Sequence, residues 1–186
     1  KNLSATAGWQ VYHQELGGTK VIFLNSTAAP DTVDEAWDDT NTTSTLFSLH
    51  NEAATNGTDK AYIAYCFAPK QGYSKFGHHT GNGNADGTFV YTGFRPAWLL
   101  VKKTSGTEGW YLYDSKRIGY NVDNNTLFPH SSDSAEGTAD EVDLLSNGFK
   151  WRATSGAFNG DGGPYIYAAF AEAPFVNSEG VPCNAR

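Results

Sequence analysis

One phrase occurs twice in this chain of 186 residues, as "NGTDKAYIAYCFAP" over 56–69 and as "NGDGGPYIYAAFAEAP" over 159–174. Each occurrence opens on Asn-Gly, reaches a Tyr-Ile pair, then a Phe-Ala pair, and closes on Pro. The match extends upstream. "GWQVYHQELG" from Gly8 is answered by "GWYLYDSKRIG" from Gly109, and "VIFLNST" from Val21 by "NTLFPHSS" from Asn125. "STLFSLHN" from Ser44 is answered by "VDLLSNGF" from Val142. Order, spacing and residue type agree with only short insertions, so the repeat is real. Its period is roughly one hundred residues, far above that of stacked solenoid units, so each copy is domain-sized.

The stretch between the copies constrains the organisation further. Before the second Gly-Trp stands "YSKFGHHTGNGNADGTFVYTGFRPAWLLVKKTSGTEGW"; before the first stands only "KNLSATAGW". Counting back from each Trp sets Lys1 opposite Lys102 or Lys103. The first copy therefore lacks the strands that 75–101 give to the second. The expected organisation is a first repeat over 1–71 without its opening strands, a complete second repeat over 72–174 and a C-terminal tail over 175–186. An incomplete sandwich leaves unpaired edges. The missing strands are expected from a longer parent chain or from a neighbouring chain.

Aromatic and β-branched residues separated by Gly, Asn, Ser and Thr point to an all-β fold. The expected form is tandem antiparallel β-sandwiches of jelly-roll-like type. Charged residues are 18% and Met is absent, which is sparse for helices. In "GTFVYTGF", Phe89 and Tyr91 share one face, and Val90 and Thr92 the other. "AWLLVKK" reads as a central strand, and Asn147-Gly148 as a tight hairpin turn. About seven strands between Gly72 and Pro174 suit a small sandwich. A helix is expected, if anywhere, over 31–39, with Asp31 as cap and Val33, Ala36 and Trp37 on one face.

Net charge is −7 with no Lys/Arg cluster beyond Lys102-Lys103, which argues against a nucleic-acid partner. No run is long and apolar enough to span a bilayer. Cys66 and Cys183 read as two unpaired thiols rather than a disulfide framework.

No motif carries catalytic or cofactor chemistry. The glycines at 81, 83 and 87 miss the dinucleotide spacing, and a hairpin loop is the plainer reading of that run. Asn82, Asn84 and Asp86 offer oxygens but a single carboxylate, short of a calcium loop. His78 and His79, adjacent on a strand, point to opposite faces and read as surface residues. Asp38-Asp39 and Asp140-Glu141 read as carboxylates in solvated loops, with no sign of the facing pair a glycosidase needs. Cys66 has Ala169 as its sister, which makes it a packing residue rather than a nucleophile. Trp9 and Trp110 share one repeat position and read as core, as does Trp98. Trp37 and Trp151 have no counterpart; each reads first as a partly buried packing residue, and the two are the candidate surface binding residues if any ring is to serve a ligand. No metal site, cofactor or catalytic residue is expected.

The phrases "KNLSATAGWQVYH", "YIAYCFA…GYSKFG", "GFRPAWLLVKK", "LLSNGFKWR" and "AFAEAPFVNSEGVPCNAR" resemble a repeated C-terminal domain of tailed-bacteriophage, often marine phage, tail-fibre-like virion proteins. In that family a strand ending in Lys precedes the "NLSAT" segment, and "VPCNAR" resembles a natural C-terminus. The resemblance implies a non-enzymatic virion structural module, the distal part of a tail fibre that adheres to a host-surface glycan or protein. The implied partners are copies of itself in a symmetric homo-oligomer such as a trimer, and other virion proteins. No membrane insertion is implied. The alternative is a capsid, tail or filament assembly protein without a host ligand; a polysaccharide-cleaving enzyme is the third class.

Overall fold

The structure, a computed structural model, describes residues 1–33, 36–117, 121, 125–133 and 140–172. It is all-β and antiparallel. β1 (Gln10–Val11), β2 (Lys20–Phe23) and β3 (Asp31–Thr32) form a three-stranded sheet in that order. A single helical turn, α1 (Ala53–Asn56), follows. The later part of the chain supplies β4 (Ser74–Thr80), β5 (Phe89–Tyr91), β6 (Pro96–Lys103), β7 (Trp110–Asp114), β8 (Val142–Leu145), β9 (Gly148–Trp151) and β10 (Pro164–Ala171). These make a four-stranded sheet ordered β4-β10-β6-β7 and a three-stranded sheet ordered β5-β9-β8.

Alternation along each strand sets what the two later sheets bury. On β10, Tyr165, Tyr167 and Ala169 point inward; Leu99 and Val101 of β6 and Tyr113 of β7 join them. The other sheet contributes Val90, Leu144, Phe149 and Trp151 to the same core. Trp151 is fully buried, stacks on Phe158 at 4.6 Å between centroids and meets Tyr113 edge-on. Removing so large a ring from a packed core costs about 3–5 kcal/mol.

The outer face of the four-stranded sheet is not left to solvent. Trp110 and Ile166, with Leu100 at their side, close against Ile22, Val11, Leu16 and Leu24 of the first copy. Trp110 Nε1 donates to the Phe23 carbonyl at 2.8 Å. Lys102 lies fully buried in this seam, with Nζ 2.9 Å from the Lys103 carbonyl oxygen and 3.4 Å from that of Thr27. Burial pulls its pKa down to about 8.

Several expectations need correction. The described residues of 31–39 form no helix: Asp31–Thr32 pair with β2, and Ala36 to Asp39 form a turn in which Asp38 and Asp39 take positive φ. The Gly-rich run is not a hairpin, because β4 and β5 lie in different sheets and the loop crosses between them. The β8–β9 turn centres on Ser146-Asn147, with Leu145 opposite Gly148. Gly148 is a strand residue because β5 passes so close that a Cβ there would collide with the Val90 carbonyl oxygen. Residues 44–51 form no strand. Trp9 and Trp98 are only half-buried, whereas Trp110 is buried.

His79, read from sequence as a surface residue, lies in the core, stacked on Tyr165 at 4.9 Å. Its Nε2 is 2.9 Å from both the Phe158 carbonyl oxygen and Trp151 Nε1, while its Nδ1 has no partner among the described residues. Burial lowers its pKa to about 4 and lowers that of His13 as well. Between pH 6.5 and 4 the unfolded chain therefore takes up a proton that the folded chain refuses, and stability falls as pH drops. For His79 alone the loss approaches roughly 3 kcal/mol. Urea unfolding at pH 7 and pH 4.5 should show a smaller acid loss for His79→Gln than for the parent. At the alkaline end, Lys102 makes stability rise from pH 8 towards 10. Tyr167, whose pKa burial raises to about 12, reverses that trend above pH 10.

Candidate binding surfaces

The repeat recurs at the level of single hydrogen bonds. Tyr165 Oη accepts from the Gly160 amide at 2.8 Å and donates to the Gly156 carbonyl at 2.8 Å. Tyr62 Oη accepts from the Gly57 amide at 2.7 Å and donates to the Ala53 carbonyl at 2.8 Å. The Trp110 amide donates to His130 Nδ1 at 3.0 Å, and the Trp9 amide to Asn25 Oδ1 at 2.8 Å. Leu112 bridges Leu127 just as Val11 pairs with Ile22. The end of β6 has its counterpart too. Lys103 stands opposite Tyr165, and the Thr104 amide donates to the Pro164 carbonyl. Asn2 stands opposite Tyr62, and the Leu3 amide donates to the Ala61 carbonyl. Lys1 is thus the counterpart of Lys102, and both lysines turn Nζ onto the next residue's carbonyl.

Beyond that point the copies diverge. β10 runs between β4 and β6 with both backbone edges paired. Its counterpart, 62–68, is extended but not a strand, and no backbone hydrogen bond among the described residues reaches 64–67. Tyr65 is 65% exposed and Phe67 64%. Cys66 is exposed, although its sister Ala169 is 0% exposed. The expectation of Cys66 as a packing residue is therefore corrected: it lies exposed between Tyr65, which stacks on Trp9, and Phe67, which meets Phe76 and Phe170. Asn159, fully buried, donates from Nδ2 to the carbonyls of Asn84 and Ala153 and to Asn82 Oδ1, which fixes the Gly-rich loop. Asn56 keeps one of these contacts, to the His50 carbonyl at 2.8 Å, and is otherwise exposed.

The two candidate surface tryptophans are both buried. Trp37 is 9% exposed, donates from Nε1 to the Lys20 carbonyl and packs on Val21; Trp151 is 0% exposed. Neither offers a ring to a ligand. Their polar neighbours in sequence misled, because a strand flanked by Lys150 and Arg152 still turns its middle residue inward. The exposed rings lie elsewhere. Phe89 and Tyr91 are 45% and 58% exposed on the outer face of β5, while Val90 and Thr92 are buried behind them. Lys75 Nζ sits 5.3 Å from the Tyr91 ring centroid. The alternation of "TFVYT" carried that signal, without saying which face was inward.

Among the described residues the titratable groups meet mostly as isolated pairs, not as two carboxylates facing across a cleft. Asp38 and Asp39 are exposed, but Glu141 is buried, where its Oε2 accepts from Tyr113 Oη at 2.5 Å and Thr126 Oγ1 at 2.6 Å. Burial, then the Glu141 charge, raise the Tyr113 pKa well above its usual value. A cleft of about 260 Å³ opens at the seam, bordered by Glu15, His78, His79 and Ile166. At its mouth His78 Nδ1 is 2.7 Å from Glu15 Oε2. No group of three or more metal-ligating side chains occurs among the described residues, and Cys183 lies outside them.

The chain belongs to the family described as a domain of unknown function, DUF7483, whose model matches residues 1–174 and so takes in both copies. No curated protein and no solved structure matches it. The paired tyrosines give a direct check on the repeat's geometry. Tyr165→Phe strands buried groups and should cost about 1–3 kcal/mol in chemical denaturation. Tyr62→Phe, in a half-exposed setting that water can enter, should cost less than about 1 kcal/mol.

Proposed function

We propose that this member of the DUF7483 family is a non-enzymatic virion structural module, the distal part of a tailed-bacteriophage tail fibre that adheres to the host surface. The sequence resemblance supplies the virion setting. The observation that carries the adhesive reading is the pair Phe89 and Tyr91, exposed side by side on a strand whose inner face is packed. Aromatic rings held rigidly at a surface are platforms for a sugar ring or a protein loop at little conformational cost. Lys75 against Tyr91 and the Lys150–Asp86 ion pair add polar groups at the rim. Its partners are copies of itself in a symmetric oligomer, other virion proteins and a host glycan or protein.

A second reading, assembly in a capsid, tail or filament without a host ligand, draws on the stretch 64–67, which no backbone hydrogen bond among the described residues reaches, since bare strand edges recruit other chains. Glycan-array and host-cell binding separate the two. The adhesive reading expects binding by the intact protein and a loss of about tenfold or more for Phe89→Ser with Tyr91→Ser, with the unfolding midpoint little changed because both rings are exposed. No binding, together with polymerisation of the isolated protein, favours assembly. Release of oligosaccharides from host envelope polysaccharide overturns the non-enzymatic reading.

A further inference from the structure

We propose that residues 64–68 are the acceptor edge for a β6-type strand that runs directly into Lys1, supplied by polypeptide joined ahead of it. The later copy displays the occupied form of this edge. Lys102 is preceded by the rest of β6, which places Val101 opposite Tyr167, Leu99 opposite Ala169 and Trp98 opposite Phe170. In the first copy the ladder begins in the same register: the Lys1 amino group donates to the Ile63 carbonyl at 3.0 Å and the Ile63 amide to the Lys1 carbonyl at 3.1 Å. It then stops, and the positions that Val101 and Leu99 would face are Ala64 and Cys66, both exposed.

Collinearity selects the source. A strand joined to Lys1 continues this ladder without a break and in the only register that keeps the inward set inward. A strand from a second copy of the chain must instead end where Lys1 begins. The occupant's chemistry follows from the counterparts: alternating Leu and Val on the side facing Cys66, and an extended backbone with free donors opposite Tyr65 and Phe67. Along the far side of 62–68 Ser74 Oγ reaches the Ala68 carbonyl at 2.8 Å, and Asn56 holds the His50 carbonyl alone among the described residues, where Asn159 also holds the β4–β5 loop. A complete filling therefore brings a β4-type strand and its loop as well. The inference is independent of what Phe89 and Tyr91 bind.

The test uses the full chain carrying Cys183→Ser, so that only Cys66 reports, with and without its own residues 72–101 fused ahead of Lys1. In the fusion a copy of Val101 precedes Lys1 as Val101 precedes Lys102. The unfused chain, whatever its oligomeric state by sedimentation, should have Cys66 labelled rapidly by a thiol reagent under native conditions. The fusion should slow that labelling by about tenfold or more, since a paired central strand opens only through a large unfolding step. Leu100→Pro in the fused copy, which removes a ladder donor, should restore fast labelling. Equal labelling in chain and fusion overturns the proposal, as does protection that survives the proline. Slow labelling in an unfused dimer overturns it too, by assigning the edge to a second copy. Should the fusion not fold, a synthetic peptide of sequence 93–101 added to the unfused chain decides: saturable slowing supports the edge, and no slowing contradicts it.

Discussion

β10 stands between β4 and β6 with hydrogen-bonding neighbours on both sides, and most of the molecule's order follows from that position. Its inward rings hold the core of the later copy. Its outward Ile166 forms the seam with the first copy. The turn before it is fixed by Tyr165 and Asn159, which tie 153–160 and the Gly-rich loop to the strand's start. An amide left unpaired in such a place costs free energy that packing alone does not recover. Where the same phrase lacks its neighbours, the strand does not form, although the tyrosine clasp in front of it does.

The seam explains how two copies that differ in completeness hold one another. The first copy's β1 and β2 present Val11 and Ile22 to Trp110 and Ile166, with Leu16 from the turn between them and Leu24 just after β2. Trp9, the sister of Trp110, has no such cover and stacks instead on Tyr65 at 6.1 Å. Lys102 sits in the seam at the cost of a depressed pKa, its ammonium bonded to carbonyl oxygens and the charge of Glu108 offsetting only part of the burial. Lys1 carries the equivalent contact at the copy's open end.

Much of this was legible in the sequence because repetition and alternation are local signals. The all-β class, the matching of the two copies, and the split of Phe89 and Tyr91 from Val90 and Thr92 follow from period and spacing. What failed depends on long-range contact. Trp37 and Trp151 look exposed beside charged neighbours, yet Lys20 and Phe158 lie over them. His79 looks like half of a surface pair until β10 and β9 close around it. Cys66 looks buried because its strand is written like a core strand, and only the absence of neighbours reverses that. Gly148 reads as a turn residue because the approach of β5 is invisible to local sequence.

The central claim is that one phrase takes two states according to whether its strand has neighbours. Residue-resolved amide hydrogen exchange on the intact chain measures both copies at once, under identical conditions. The account predicts that the amides of 165–170 exchange only with global unfolding. Those of 64–67 should exchange at close to the rate of an unfolded peptide, with the Ile63 amide, bonded to Lys1, between the two. Comparable protection of 64–67 and 165–170 would contradict it.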